Sequence, residues 1–220
     1  MKYYQELQEG LYDPNIFKAI FLAGGPGSGK SFVVRRTTGG TGLKIVNSDP
    51  AFENLLKKAG LSLKMPPEEF ERKEKVRDRA KELTIKQQKN YLEGRLGLII
   101  DGTGKNAEKI LFQKSQLEEL GYDTYMIFVN TSMDVALQRN AERVRSLQAS
   151  AVVSMLKEVQ SNLGKFSNMF RKGMIIVDNN DASEDVLKEV WKRVQGLLKK
   201  KVTNTRAQNW MAMELDKKRR

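Results

Sequence analysis

The sequence predicts an α/β fold: a three-layer sandwich with a five-stranded parallel sheet between two layers of helices, followed by a basic helical C-terminal tail. Five short apolar runs are typical of buried parallel strands, and segments with helical periodicity separate them. Strands that alternate with helices form right-handed βαβ units, which bury both faces of a parallel sheet. We predict the strands, in chain order, at residues 19–23, 43–47, 96–100, 124–129 and 174–177.

The predicted helices lie between these strands, and local signals mark several of their ends. Gly121 follows the pattern of residues 105–120 and is typical of the position just after a helix. Thr131 has the hydroxyl that an N-cap needs before residues 132–145. In the tail, Trp210 and the nearby methionines predict a last helix that docks on the domain. The other helices are predicted from residue 31 onwards and at residues 50–59, 67–92, 105–120, 132–145, 151–170 and 183–201.

Composition limits both the domain organisation and the chemistry. A chain of 220 residues has room for one domain, predicted at residues 1–202, and an appended tail or docking helix at 203–220. No apolar run reaches 18 residues and the first residues are polar, so we predict a cytoplasmic protein without a membrane span. Cysteine and histidine are both absent, which excludes thiol nucleophiles, histidine bases, disulfides and Cys/His zinc sites. Catalysis must therefore use carboxylates, lysine, arginine, hydroxyls and an oxygen-ligated metal such as Mg²⁺.

The net charge of +12 is distributed unevenly along the chain. Residues 186–220 contain eleven lysines or arginines against three acidic residues, which gives this segment a charge of +8. Such a segment suits a polyanionic partner such as a nucleic acid. It is equally consistent with a solvated helical tail whose charge serves solubility.

The clearest chemical signal is the phosphate-binding motif of residues 24–31, which read Gly-Gly-Pro-Gly-Ser-Gly-Lys-Ser between a strand pattern and a helix pattern. In such a loop consecutive backbone N–H groups point at phosphate oxygens. Lys30 supplies a positive charge for the β- and γ-phosphates, and the hydroxyl of Ser31 is a ligand for Mg²⁺. The predicted fold is therefore that of a P-loop NTPase that binds a nucleoside triphosphate, and the motif does not distinguish ATP from GTP. The predicted nucleotide contacts are Gly25, Pro26, Gly27, Ser28, Gly29, Lys30, Ser31 and Phe32.

Carboxylates follow the second and third predicted strands, at the edge of the sheet where ligands bind. Asp49 is placed to accept the proton of a hydroxyl that attacks phosphorus, although Asp49 before Pro50 is also a suitable N-cap. Asp101 occupies a Walker-B-like position suited to orient Mg²⁺, with an Asp-Gly turn as the alternative. Thr103 and Lys105 follow directly and are candidates for contact with substrate or phosphate.

Two arginines and an asparagine complete the candidate site. Arg139 and Arg143 are four residues apart, so a helix places them on one face, where they can clamp a phosphoryl group. Alternatively, they form a solvent-facing pair bridged to nearby acidic residues. Asn179 follows the fifth predicted strand, where it can contact adenine or simply form a turn.

These residues together resemble P-loop kinases of the zeta-toxin and polynucleotide-kinase type, especially small phage-encoded members, over about residues 17–180. The resemblance implies transfer of the γ-phosphate of ATP to a hydroxyl, with Mg²⁺ held between the phosphates and Ser31. It also implies that Asp49 is the base and that Arg139 and Arg143 are lid arginines.

The acceptor is less well defined. The basic tail favours nucleic acid, either a 5′-hydroxyl end or a hydroxymethylated pyrimidine in DNA. The alternative is a nucleotide sugar or another small molecule, as in zeta toxins. A nucleotide-dependent ATPase or binding module is the third hypothesis, but Gly102 stands where a hydrolytic motor would have a glutamate after Asp101. The sequence does not indicate an oligomeric state.

Overall fold

A computed structural model describes residues 11–63, 67–143, 146–181 and 183–219. Its centre is one parallel sheet with the strand order β2-β3-β1-β4-β5. The central strand β1 pairs with β3 on one side and with β4 on the other, and Phe21 is opposite both Ile100 and Met126. The α/β fold predicted from the sequence is confirmed. The strands are β1 (Lys18–Ala23), β2 (Lys44–Val46), β3 (Leu98–Asp101), β4 (Asp123–Asn130) and β5 (Met174–Asp178).

Helices cover both faces of this sheet. They are α1 (Lys30–Thr38), α2 (Asp49–Lys58), α3 (Phe70–Glu93), α4 (Ala107–Glu119), α5 (Met133–Ala141), α6 (Ala149–Ser161), α7 (Leu163–Phe170), α8 (Glu184–Leu198) and α9 (Thr205–Arg219). One face of the sheet packs against α4, α7 and α9, and the opposite face packs against α1 and α8. Neighbouring strand residues such as Ile20 and Phe21 therefore enter different cores. No helix in the described ranges is long and apolar enough to cross a membrane.

Several predictions about helices were wrong, and hydrogen bonds explain three of the differences. The predicted helix 151–170 is two helices, because Asn162 between them donates to the carbonyls of Gly104 and Lys105. The N-cap of α5 is Ser132, whose hydroxyl accepts from a backbone N–H three residues on, and not Thr131. The same helix ends at Ala141, because the Asn140 amide exchanges hydrogen bonds with the backbone of residue 147.

Some sequence predictions lie outside the described residues. These are the polar start of the chain within residues 1–10, positions 144 and 145 of the predicted fifth helix, and position 220 of the tail. Gly121 follows Leu120, the C-cap of α4, and has a φ of 104°, as predicted for the position just after a helix.

Helices α2 and α3 form a small unit beside the edge strand β2. Phe52 and Leu56 of α2 are fully buried against Ala80 of α3, and the guanidinium of Arg77 lies 4.3 Å from the centre of the Phe52 ring. A 3₁₀ turn at Pro67–Glu69 directly precedes α3, where the sequence predicted continuous helix. Helix α3 forms one wall of the large cavity described below.

The basic helix α9 docks at the amino edge of the sheet, where the strands begin. Ala207 is fully buried, and the Trp210 ring packs edge-on against Phe17, with 5.4 Å between ring centres. The side chain of Asn204 donates to the carbonyl of Glu118 at the end of α4. The expected docking through Trp210 is therefore present, although Met213, one of the methionines expected to help, is 62% exposed.

Candidate active site

The loop of residues 24–29 joins β1 to α1 at the carboxyl edge of the sheet, as the motif predicted. Gly27 and Gly29 have φ angles of 75° and 78°, which other residues rarely adopt. A Cβ at Gly27 would collide with the carbonyl of Ala136, and one at Gly29 would collide with the side-chain amide of Asn179. Helix α1 starts at Lys30, so its N-terminal N–H groups and dipole favour an anion at the loop. The local geometry is therefore that of a phosphate cradle.

Lys30 lies at the centre of the site, and its ammonium group donates a 2.7 Å hydrogen bond to the carbonyl of Gly24. Burial lowers the pKa of Lys30, and the charge of Asp101 opposes this shift. Arg143 lowers the same pKa further, and Asp49 raises it. Lys30, Asp49, Asp101 and Arg143 therefore form one electrostatically coupled cluster.

Asp101 ends β3, next to the central strand. The side-chain amide of Asn47 donates to its carboxylate at 2.7 Å. Burial raises the pKa of Asp101, while Lys30 and this hydrogen bond lower it and Asp49 raises it. A partly buried carboxylate with an opposing lysine is an arrangement often found where acid-base or metal chemistry takes place.

Asn47 also holds Asp49, and sequence analysis did not identify it. Its side-chain oxygen accepts the backbone N–H of Asp49 at 2.7 Å, so one amide connects both carboxylate-bearing segments. Asp49 is the exposed first residue of α2, and Ser48 precedes it at the N-cap position. The interpretation of Asp49 as the N-cap was therefore wrong. Asn47 ends a predicted strand, which was the only signal available for it.

At least three cavities open at this edge of the sheet, and one of about 350 Å³ is lined by Gly29, Phe32, Arg139, Asn179 and Asp181. The loop cavity, of about 230 Å³, is lined by Gly25, Pro26, Gly27, Gly29, Lys30, Ser31, Phe32, Arg139 and Arg143, all of them predicted site residues. The large cavity, of about 500 Å³, lies between α3, α4 and the ends of β2 and β3. Asp101, Thr103 and Lys105 line the large cavity together with Asn47. Of the predicted loop residues, Ser28 is fully buried, and its hydroxyl has no hydrogen-bond partner in the described part of the chain.

The two arginines do not share a helix face, because α5 ends at Ala141, before Arg143. Arg139 donates to the carbonyls of Asn179 and Asn180, at 2.6 and 3.0 Å. Both arginines nevertheless line the loop cavity. Arg139 is thus fixed to the loop after β5, whereas Arg143 lies in the turn that follows α5.

Asn179 supports the phosphate loop from behind. Its side chain is buried, and its amide N–H₂ donates to the carbonyl of Ser28 at 2.7 Å. Its own carbonyl accepts from Arg139 and from the hydroxyl of Thr131. One N–H of this amide is therefore bonded to the loop, and contact between the Asn179 side chain and adenine stays a prediction.

The donor groups present are compatible with Mg²⁺. Ser31 offers an exposed hydroxyl at the start of α1, and Asp101 has a carboxylate oxygen beyond the one bonded to Asn47. No cluster of three acidic residues that could enclose a metal occurs in the described ranges. Mg²⁺ commonly binds through one or two protein oxygens, substrate phosphates and waters, so this sparse set fits it.

Comparison with known proteins gives the same fold. The family model described as AAA domain (AAA_33) matches residues 20–163. No curated protein sequence matches the chain. Among solved structures, a gluconokinase from Sinorhizobium meliloti 1021 is similar at 15% identity and a TM-score of 0.51, over 84% of this chain and 95% of that one.

Two further structures are similar. The shikimate kinase of Bacteroides thetaiotaomicron has 14% identity and a TM-score of 0.50, over 83% of this chain and 99% of that one. The deoxyadenosine kinase of M. mycoides with bound dATP has 18% identity and a TM-score of 0.50, over 80% and 99% of the two chains. At such identities these likenesses establish the fold alone, which is that of P-loop kinases. The match over residues 20–163 establishes the family, and the chain therefore belongs to the AAA domain family (AAA_33).

Proposed function

We propose that this protein is an ATP- and Mg²⁺-dependent phosphotransferase that moves the γ-phosphate of ATP to an acceptor hydroxyl. The observation that carries the proposal is that two cavities open beside one charged cluster. Lys30 lines the loop cavity, Asp101 lines the large cavity, and each of these groups shifts the pKa of the other. A hydrolase needs room only for the nucleotide and a water, whereas a transferase also needs a cavity for its acceptor. The fold likeness to small-molecule and nucleoside kinases supports the same function.

In the proposed reaction the acceptor oxygen attacks the γ-phosphorus. A new O–P bond forms, the bond from this phosphorus to the β,γ-bridging oxygen breaks, and ADP leaves. Asp49 accepts the proton of the hydroxyl, and Asp101 is the carboxylate that would help to hold Mg²⁺. Lys30 and Arg143 offset the charge that develops on the phosphoryl oxygens, and Arg139 holds the neighbouring loop. Mg²⁺ held by Ser31 and the phosphates would supply further positive charge.

Two kinds of acceptor fit this proposal. A hydroxyl on nucleic acid, as in polynucleotide kinases, is supported by the net charge of +12. A nucleotide-type or other small molecule, as in zeta toxins, is supported by a cavity of about 500 Å³, which lies in the range of small-ligand sites. The basic helix α9 does not favour either acceptor, because it docks at the amino edge, away from both cavities. Membership of the phage-encoded branch remains part of this hypothesis.

The test is transfer of a labelled γ-phosphate, with Mg²⁺, to a panel of 5′-hydroxyl DNA and RNA, hydroxymethyluracil DNA, nucleosides, nucleotide sugars and sugar acids. Label on any acceptor supports a phosphotransferase and identifies its class. Release of free phosphate alone, at a rate that no acceptor changes, would indicate an ATPase. Asp49→Asn and Asp101→Asn variants distinguish the base from the metal-orienting carboxylate, since only the second loss should depend on the Mg²⁺ concentration.

A further inference from the structure

The charges that line the large cavity are mostly positive. Three lysines, Lys81, Lys105 and Lys109, surround it, and Asp101 is the only acidic residue among its lining residues. Lys81 forms an exposed ion pair with Asp78. Lys105 and Lys109 are exposed, and within the described ranges neither ammonium group has an ion-pair partner. The cavity therefore has a carboxylate at the inner end, where Asp101 ends β3, and uncompensated positive charge on the α4 side.

These two lysines also lie at the N-terminal end of α4, where the helix dipole is positive. The helix begins at Ala107 with Asn106 as its N-cap, so Lys105 precedes it and Lys109 lies in its first turn. Cations at a helix N-terminus are unfavourable, whereas anions there are stabilised. Glu108 offsets part of this charge, but it does not line the cavity. An anion bound in the cavity would be stabilised by both lysines and by the helix dipole.

The segment that carries Lys105 is held in place by the core. The buried side chain of Asn162 donates to the carbonyls of Gly104 and Lys105, at 3.1 and 2.9 Å. Gly104 has a φ of 82°, and a Cβ there would lie 2.6 Å from the Cβ of Ala23. A loop fixed in this way loses little entropy when it binds a ligand.

Neutral polar groups line the rest of the cavity. Gln88 of α3 and Gln113 of α4 are half-buried, and their side chains make no hydrogen bond in the described part of the chain. Such amides can bind several hydroxyl groups through paired donors and acceptors. The aliphatic side chains of Ile85, Ile100 and Ile110 provide an apolar surface between them.

We infer that the acceptor in the proposed phosphotransfer carries an anionic group, a phosphate or a carboxylate, which is bound by Lys105 and Lys109 at the α4 end of the large cavity. This inference rests on the proposed function. The reactive hydroxyl lies at the opposite end, near Asp101 and Asp49, and the amides bind the polar body of the molecule. The two lysines act as specificity-determining residues that distinguish an anionic acceptor from its neutral analogue.

The experiment measures binding without turnover, with a non-hydrolysable ATP analogue at saturation so that the phosphate loop is filled. Titration calorimetry compares matched neutral and anionic pairs: glucose with gluconate, and each nucleoside with its 3′-monophosphate. A 5′-hydroxyl oligonucleotide tests whether a polymer supplies the anionic group. We expect the anionic member of at least one pair to bind about tenfold more tightly.

Single Lys105→Gln and Lys109→Gln variants should each weaken anion binding by about threefold to tenfold, and the double variant should bind both members of the pair equally. Lys86→Gln is the matched control, since Lys86 is an exposed lysine of α3 outside the cavity lining. Equal affinities in every pair, no binding at all, or a preference that survives the double variant would each overturn the inference. This binding measurement involves no turnover. If the wild type prefers the anionic ligand but transfers phosphate to no acceptor, the result contradicts only the proposed phosphotransferase.

Discussion

Two lysines at opposite edges of the same sheet, one buried and one half-buried, show how differently the two edges are built. Lys18 begins β1 at the amino edge and is 2% exposed, and burial lowers its pKa despite the opposing charge of Asp123. Lys30 follows the same strand at the carboxyl edge, and burial lowers its pKa as well. Lys18 forms an ion pair with Asp123 at 3.3 Å, whereas among the described residues Lys30 donates only to the carbonyl of Gly24 in its own loop.

At the amino edge, the charged side chains form ion pairs and hydrogen bonds with other groups of the protein. Asp123 also accepts two hydrogen bonds from Thr203, which fixes the start of α9, and the carboxylate of Asp13 accepts the backbone N–H groups of Asn15 and Gly97. At the carboxyl edge, Lys30 and Asp101 line cavities and neither forms a salt bridge within the described ranges, whereas Asp123 lines a cavity of about 350 Å³ at the amino edge but is paired with Lys18. Polar groups that are bonded within the protein fix a structure, while polar groups at an open edge are available to ligands. We therefore expect residues at the amino edge to contribute mainly to stability, and residues at the carboxyl edge to contribute mainly to catalysis.

The largest expected effect is on catalysis at Lys30. Lys30→Ala should lower the rate of phosphate transfer by about a thousandfold or more, because it removes a charge that stabilises the transferring phosphoryl group. The urea midpoint of unfolding should stay the same or rise slightly, since the ammonium group is partly desolvated and bonded only to Gly24. Lys86→Ala serves as a control for the general loss of a lysine. Full activity of the Lys30→Ala variant would contradict the proposal that phosphate transfer takes place at the carboxyl edge.

The second expected effect is on stability at Asp123. Asp123→Ala leaves Lys18 buried without its partner and removes the acceptor for Thr203, so we expect a loss of about 3 kcal/mol in the free energy of unfolding. Asp185→Ala is the matched control, because Asp185 pairs with Lys188 at an exposed site and its loss should cost less than about 1 kcal/mol. Urea denaturation measures both values, and ATP affinity of the folded variant should be unchanged. Similar losses in the two variants would contradict the comparison.

A third prediction uses pH to test whether the charge of Lys18 causes this loss. Since burial lowers the pKa of Lys18 in the folded protein, the unfolded chain binds more protons between that pKa and 10.5, and stability rises with pH in this window. A neutral Lys18 needs no carboxylate partner. The difference in Tm between the wild type and Asp123→Ala should therefore narrow from neutral pH to about pH 10. A difference that stays constant would attribute the loss to Thr203 and packing alone.

The sequence predicted the parts of the molecule that depend on local patterns. Buried strands are recognisable as apolar runs, and the phosphate loop is recognisable because its glycines, Lys30 and Ser31 must occur at fixed spacing. The predicted loop residues line one cavity, apart from the buried Ser28, and their contact with a nucleotide stays a prediction.

The structural roles that sequence analysis missed depend on contacts between residues distant in sequence. Asn47 bonds to Asp101, 54 residues away, because β2 and β3 are neighbours in the sheet. Asn162 interrupts a helix pattern by bonding to carbonyls 57 and 58 residues away. Asn179 holds Ser28 from 151 residues away. Amide side chains of this kind have no periodicity, so only the folded arrangement reveals their role.

A fourth prediction follows from the position of Asn179. Asn179→Asp keeps the shape of the side chain but places a carboxylate oxygen against the carbonyl of Ser28, which should displace the phosphate loop. We expect the KM for ATP to rise about tenfold, with a smaller change in kcat. Thr131→Val, which removes only a hydroxyl bonded to the Asn179 carbonyl, should have a smaller effect. An unchanged KM in Asn179→Asp would mean that the loop holds its shape without this support.

The smallest effect is expected at the end of α9, where Lys217→Gln, Lys218→Gln and Arg219→Gln are combined. Strand β1 alone spans six residues, or about 20 Å, so these charges are too far from the large cavity to contact a small acceptor. The KM for such an acceptor should change less than about twofold, because charges beyond a Debye length are screened. If α9 binds nucleic acid, the slope of log affinity against log salt should fall by about one for each lost contact. A changed slope with an unchanged KM would make the amino edge a second, separate anion-binding surface, whereas a changed KM would show that the two edges are coupled.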